Sequence, residues 1–281
     1  MNAKKPRQTI CLLLAGACLL AAVLFGPFMR AFNQSAVTEE TATPGPPPTA
    51  ASTPTLSPTP APTPSAAPAP TAKVMLPYIQ AMRDAHGNDD IVGHLHIPGT
   101  TIDYAITHTT DNEFYLGHDI NQNPDIAGWP YMDFENDPAA DTDWNTIIYG
   151  HNMNRDYMFH ALRHYADEAF YQTHRYAVYT TLYERQLWEV FAFCRADASR
   201  TGTAQFPYIR VHFDSHAQFA ALVAQIKQNS VYNTGIGFDT DTRVLSLSTC
   251  TGETDWRYVL SLVPVTDFSS VPEEVRVLLA E

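Results

Sequence analysis

Val244-Leu245-Ser246-Leu247-Ser248-Thr249 ahead of Cys250, then Thr251-Gly252-Glu253-Thr254-Asp255, then Trp256-Arg257-Tyr258-Val259-Leu260-Ser261-Leu262-Val263-Pro264, reads as strand, polar turn, strand. The flanking runs are rich in Val, Leu, Tyr and Trp, while Gly, Asp and Thr gather between them. Such a hairpin delivers the Cys250 thiol near a strand end and folds Arg257 back beside it.

Working outward, Ile91 to Ile97 and Thr101 to Ile106 form a second hairpin around Pro98-Gly99-Thr100. Further β-rich runs are Thr146 to Tyr149, Tyr176 to Leu182 and Gln186 to Arg195. A helix is expected near Val74, where Met75, Ile79 and Met82 recur at helical spacing, and another over Ser215 to Gln228, where Phe219, Leu222, Val223 and Ile226 share a face. Short helices are expected at Met158 to Tyr165 and Val271 to Leu279. Many short strands, few helices and no internal repeat favour a barrel or sandwich over an alternating parallel sheet.

The N-terminal part has a different character. Lys4, Lys5 and Arg7 precede an uncharged run from Ile10 to Phe28, close to the ~20 residues that span a bilayer as a helix. The basic flank comes first, so the N-terminus is expected in the cytoplasm and the rest of the chain outside. A cleaved signal peptide is the alternative, but the apolar run is long and no clean small-x-small site follows it. Thr41 to Thr71 is almost entirely Pro, Thr, Ala and Ser, too polar to offset chain entropy, and reads as an extended stalk or disordered linker. The expected organisation is a cytoplasmic N-terminus (1–8), a single-pass anchor in the cell membrane (9–29), a Pro-rich stalk (30–73) and an extracellular folded domain (74–281).

A formal net charge of -13 disfavours nucleic acid as a partner. Cys11 and Cys18 lie in the apolar run, which leaves Cys194 and Cys250 in the folded part, too few for a disulfide framework or a zinc knuckle. A lone cysteine is more often a small buried hydrophobe than a nucleophile. A catalytic thiol needs a proton partner and a donor for the developing oxyanion. His151, in Tyr149-Gly150-His151-Asn152 at the end of a β-run, is the candidate for the first. Arg257 is the candidate for the second, since its guanidinium stays charged and offers directed donors. A surface arginine paired with Asp255 or Glu253 fits the same spacing. His94 and His96 share a strand face without a third ligand at metal spacing; no metal or cofactor is expected.

Taken in order, Tyr149-Gly150-His151-Asn152, Leu247-Ser248-Thr249-Cys250 and Arg257 resemble the signature of sortases, the cell-wall transpeptidases of Gram-positive bacteria. The similarity runs from about Ile91 to Val265; Gly93 to Thr100 looks like the family's early strand and turn, and Asp111 to Leu116 like the segment after it. Asn152-Met153 after the histidine, the helix before the barrel and the long helix before the cysteine strand look like class B. Neither the lid segment nor the second membrane run near the C-terminus expected of class C is read here.

The resemblance implies a closed eight-stranded β-barrel with peripheral helices, and a cysteine-type transpeptidase or endopeptidase acting through Cys250, His151 and Arg257. It places Asn112, Leu116, Tyr208, Ile209, Ser248 and Thr249 against the substrate. The implied substrates are surface proteins bearing an Asn-Pro-x-Thr-Gly/Asn-like sorting signal, cut at a Thr-Gly or Thr-Asn bond. The implied acceptor is an amino group of a peptidoglycan precursor or a pilin lysine. A membrane-tethered cysteine protease and a non-enzymatic surface adhesin are the competing readings.

Overall fold

The computed structural model describes residues 73–139, 142–198, 207–238, 242–253 and 255–280. The expected anchor and nearly all of the expected stalk lie outside the described residues. Among the described residues no helix is long and apolar enough to cross a membrane.

Eight strands close into a barrel. They are β1 (Ile91–His96), β2 (Asp103–Thr107), β3 (Tyr131–Met132), β4 (Asn145–Tyr149), β5 (Tyr176–Thr180), β6 (Arg185–Asp197), β7 (Val244–Cys250) and β8 (Trp256–Pro264). Around the barrel the order is β1-β2-β3-β4-β7-β8-β6-β5. Among the described residues four α-helices accompany it: α1 (Pro77–His86), α2 (Glu168–Thr173), α3 (His216–Gln228) and α4 (Glu273–Arg276). The closed eight-stranded architecture matches the expectation.

Strand alternation divides the apolar side chains of β7 and β8 between two cores. Leu245, Leu247, Leu260 and Leu262 point into the main core with Leu95, Ile106 and Ile148. Val244, Val259 and Val263 point the other way and meet Phe219, Leu222, Val223 and Ile226 of α3. Burying each such side chain contributes roughly 1.5–3 kcal/mol of transfer free energy. Helix α3 begins where Ser215 caps it, its hydroxyl accepting the Gln218 N–H. Because both faces of β7 are covered, its first six residues are buried and Cys250, the seventh, is exposed.

The structure differs from the sequence reading in its less regular elements. The helix expected over Met158 to Tyr165 is a 3-10 helix, Phe159–Ala166, burying Phe159, Ala161, Leu162 and Tyr165. Helix α2 and the two-residue β3 carry too little periodicity to register in the sequence. Two pairings are parallel, β2 with β3 and β4 with β7. The second runs Asn145↔Val244 through Tyr149↔Ser248 and sets the geometry of the site.

Candidate active site

Cys250 and Arg257 face each other directly across β7 and β8. The adjacent pair is hydrogen-bonded, Thr251 N–H donating to Trp256 O at 3.1 Å. Cys250 and Arg257 therefore form a non-hydrogen-bonded pair, the kind whose opposed side chains approach most closely. Gly252, in the turn between them, has φ 95°, which a residue with a Cβ rarely adopts. Arg257 Nη1 donates to Trp256 O at 3.0 Å, so that carbonyl takes both the ladder bond and the guanidinium. Glu253, one of the alternative partners for Arg257, is ion-paired with Arg195.

His151 arrives from the other side of β7. The parallel register of β4 and β7, continued two residues past Tyr149↔Ser248, sets His151 beside Cys250. Gly150 makes that approach possible, because a Cβ there would lie 2.6 Å from the Phe159 ring. Thr249 Oγ1 donates to Gly150 O at 2.7 Å and ties the chains together just before the two side chains. His151 Nε2–H donates to Leu116 O at 2.9 Å. The neutral ring then has its lone pair on Nδ1, the nitrogen left to take or give a proton.

Cys250, His151 and Arg257 line one cleft of about 270 Å³ together with Leu116, Tyr131, Tyr149, Gly150, Ala198, Tyr208, Ile209, Ser248 and Thr249. Five of the six residues expected against substrate lie in this wall. Leu116 and Ile209 are exposed apolar residues of its lining. Tyr208 is buried, its hydroxyl 3.1 Å from Ser248 Oγ. The loop carrying it is pinned by buried Asn145, whose Nδ2 donates to Tyr208 O and Arg210 O, both at 2.9 Å. Ser248 and Thr249 have their hydroxyls engaged within the protein and form wall rather than reach into the space.

Asn112 does not line the cleft. Its Nδ2 donates to Asp133 Oδ2 at 3.1 Å and its Oδ1 accepts the Phe134 N–H at 3.0 Å, so both ends of the amide brace the loop after β3. Asp133, buried, also accepts the Tyr149 hydroxyl at 2.8 Å. Tyr149, which shares Asp133 with Asn112, does line the cleft. Burial, with Asp133 adding to it, raises the Tyr149 hydroxyl far above its ordinary range and keeps it a donor. Tyr131, paired with Tyr149 across β3 and β4 with ring centroids 5.4 Å apart, is a wall residue that sequence reasoning missed. His94 and His96 lie away from this cleft, both within 3.2 Å of Asp103 Oδ1.

A sortase-domain family model matches residues 95–265. The chain belongs to the sortase family. Among curated relatives, sortase B of Listeria monocytogenes is 36% identical over 172 residues, covering 60% of this chain and 66% of that sortase. The chain thus spans slightly less than two thirds of that relative's length. The solved Staphylococcus aureus sortase B-substrate complex superposes with a TM-score of 0.62 at 26% identity, covering 68% of this chain and 86% of that one. A sortase B complexed with triglycine gives a TM-score of 0.61 at 27% identity, over 69% and 87% of the two chains. The sortases this chain resembles are therefore of class B, as the resemblance implied.

Proposed function

We propose that this chain is a class B-like sortase, a cysteine transpeptidase anchored in the cell membrane of a Gram-positive bacterium with its catalytic domain outside. The observation that carries the reading is the meeting of three groups, two on neighbouring strands and one just past the end of a third. Cys250 ends β7, Arg257 opposes it on β8, and His151 follows the parallel strand β4.

In the proposed reaction the Cys250 thiolate attacks the carbonyl carbon of a Thr-Gly or Thr-Asn bond in an Asn-Pro-x-Thr-Gly/Asn-like signal. The Arg257 guanidinium stabilises the oxyanion as it forms. The C–N bond breaks, His151 gives a proton to the departing amine, and a thioester to Cys250 remains. An amino group of a peptidoglycan precursor or of a pilin lysine then attacks the thioester. His151 takes its proton, the new amide forms and the thiolate leaves. One amide is exchanged for another and no water is consumed. Leu116, Tyr208, Ile209, Ser248 and Thr249 contribute the peptide groove, with Leu116 and Ile209 as exposed apolar contacts. The substrate complex and the triglycine complex among the solved sortase B structures support a peptide donor and an amine acceptor for this cleft.

The test is mass spectrometry of wild type and Cys250→Ala incubated with an Asn-Pro-x-Thr-Gly/Asn peptide library and an amine acceptor, triglycine or lysine. Peptide-acceptor adducts formed by wild type and absent with the variant are expected. Cleavage without adduct would replace the proposal with a thiol protease, and an inert wild type would sink the reading.

A further inference from the structure

The ladder between β4 and β7 stops just short of the reacting side chains. Its last backbone rung is Gly150 N–H donating to Ser248 O at 3.2 Å. Continued regularly, a parallel ladder would next have Cys250 N–H donating to Gly150 O, and then the main-chain N–H of residue 152 donating to Cys250 O. The Asn152 main chain instead enters a short antiparallel bridge with Met158. Its side chain takes over the missing rung, Nδ2–H donating to Cys250 O at 2.6 Å.

The orientation of that amide follows from its partners. A carbonyl oxygen only accepts, so Asn152 presents its NH2 to Cys250 and its Oδ1 to the opposite side. There His160 Nδ1 lies 2.6 Å from Oδ1 and must carry a proton. Arg163 Nη1, 3.4 Å from His160 Nε2, donates to the lone pair of that same tautomer. Asp156 Oδ1 stands 3.7 Å from Nε2 and accepts from His164 Nε2 at 2.9 Å. Burial, then Arg163, holds His160 below the ordinary imidazole range, with Asp156 opposing and His164 adding. A protonated ring would still donate through Nδ1. The donor to Asn152 is present in either charge state.

We infer that Asn152 and His160 are positioning residues for the transfer reaction, a relay that ties the main chain of Cys250 to that of His151 and so sets the distance between thiol and imidazole. The inference rests on the transpeptidase reading of this site. Its direction is Arg163 to His160 to Asn152 to the Cys250 carbonyl. The relay contributes orientation and no contact with the reacting atoms.

The experiment measures kcat and KM for peptide transfer to an amine by the full chain, as wild type and as N152A, H160A and H160N, with melting temperatures alongside. In H160N the new side-chain amide nitrogen sits near the place of Nδ1 and restores the donor. The expected result is a fall in kcat of about tenfold for N152A and H160A, a fraction of the roughly hundredfold that follows a 1 Å misplacement. KM stays within about twofold and H160N regains most of the loss. Equal activity of H160A and H160N, a loss confined to KM, or a loss that tracks melting temperature would overturn the relay. Nitrogen-15 NMR of the imidazoles supplies a reading independent of transfer. It should find His160 protonated on Nδ1 in wild type and redistributed in N152A; a ring protonated only on Nε2 in wild type contradicts the proposal. A wild type that transfers nothing yet shows the Nδ1–H ring would remove the transpeptidase reading and leave the hydrogen-bonded relay standing.

Discussion

Cys194 on β6 and Cys250 on β7 lie on one face of the barrel wall, linked through the pairings Cys194↔Val259 and Ser248↔Val259. Helix α3 crosses that face over the first and leaves the second uncovered. Cys194 packs with Phe219, Leu222, Val223 and Ile226, and its Sγ–H donates to Ile226 O at 3.2 Å. Burial alone pushes its pKa up to about 12. Cys250, where β7 leaves its cover, has the guanidinium-bearing Arg257 opposite and His151 alongside. Two identical side chains on one sheet face, on strands with β8 between them, are separated by what covers them and by which side chains the register brings near.

The largest effect that would break this comparison is in activity. Cys250→Ala is expected to lower transfer by at least about 10⁴-fold, while Cys194→Ala keeps it within about twofold and loses about 1 kcal/mol of stability. Comparable losses from both would mean that the cover does not decide which thiol works. Next, Arg257→Ala should lower kcat by about 10²–10³-fold with a smaller change in KM, as for a removed oxyanion donor. A change in KM alone would make Arg257 a binding group. Iodoacetamide labelling with peptide mapping sharpens the contrast at rest. Cys194 should alkylate at least about 10³-fold more slowly than Cys250 in the native protein, and at a similar rate in denaturant.

The smallest effect is in pH dependence. The unfolded chain releases the Cys194 proton near the ordinary thiol value of 9, and the folded protein holds it to about 12. Between those values the unfolded state binds fewer protons, so the stabilising contribution present below pH 9 is lost as pH rises toward 12. Chemical denaturation of wild type and C194A across that window should show the difference between them shrinking with pH. A constant difference would contradict a buried, protonated Cys194.

How much of this was legible in the sequence depends on how local each feature is. Cys250 and Arg257 are separated by one polar turn, so alternation and turn chemistry alone set them opposite each other. The apolar face of α3 and its Ser215 cap are equally local. His151 is another matter: its place beside Cys250 comes from a parallel pairing of strands about a hundred residues apart. No periodicity within either strand encodes that pairing, and only the family resemblance brought the two together. Tyr131 was missed because β3 is two residues long. Asn112 was placed in the groove although its amide braces the Asp133 loop, a tertiary hydrogen-bond partner that no local pattern announces. Asn152 was noted only as a mark of class, since its side-chain rung matters only once the ladder is known to end at Gly150.

The most direct test of the account is the covalent intermediate. Wild type, mixed briefly with an Asn-Pro-x-Thr-Gly/Asn peptide without amine and quenched in acid, should gain the mass of the peptide up to and including its Thr. Digestion should place that mass on Cys250, and added triglycine should discharge it as a new peptide. Signal cleavage with no acyl mass on Cys250, or the acyl group on another residue, would contradict it.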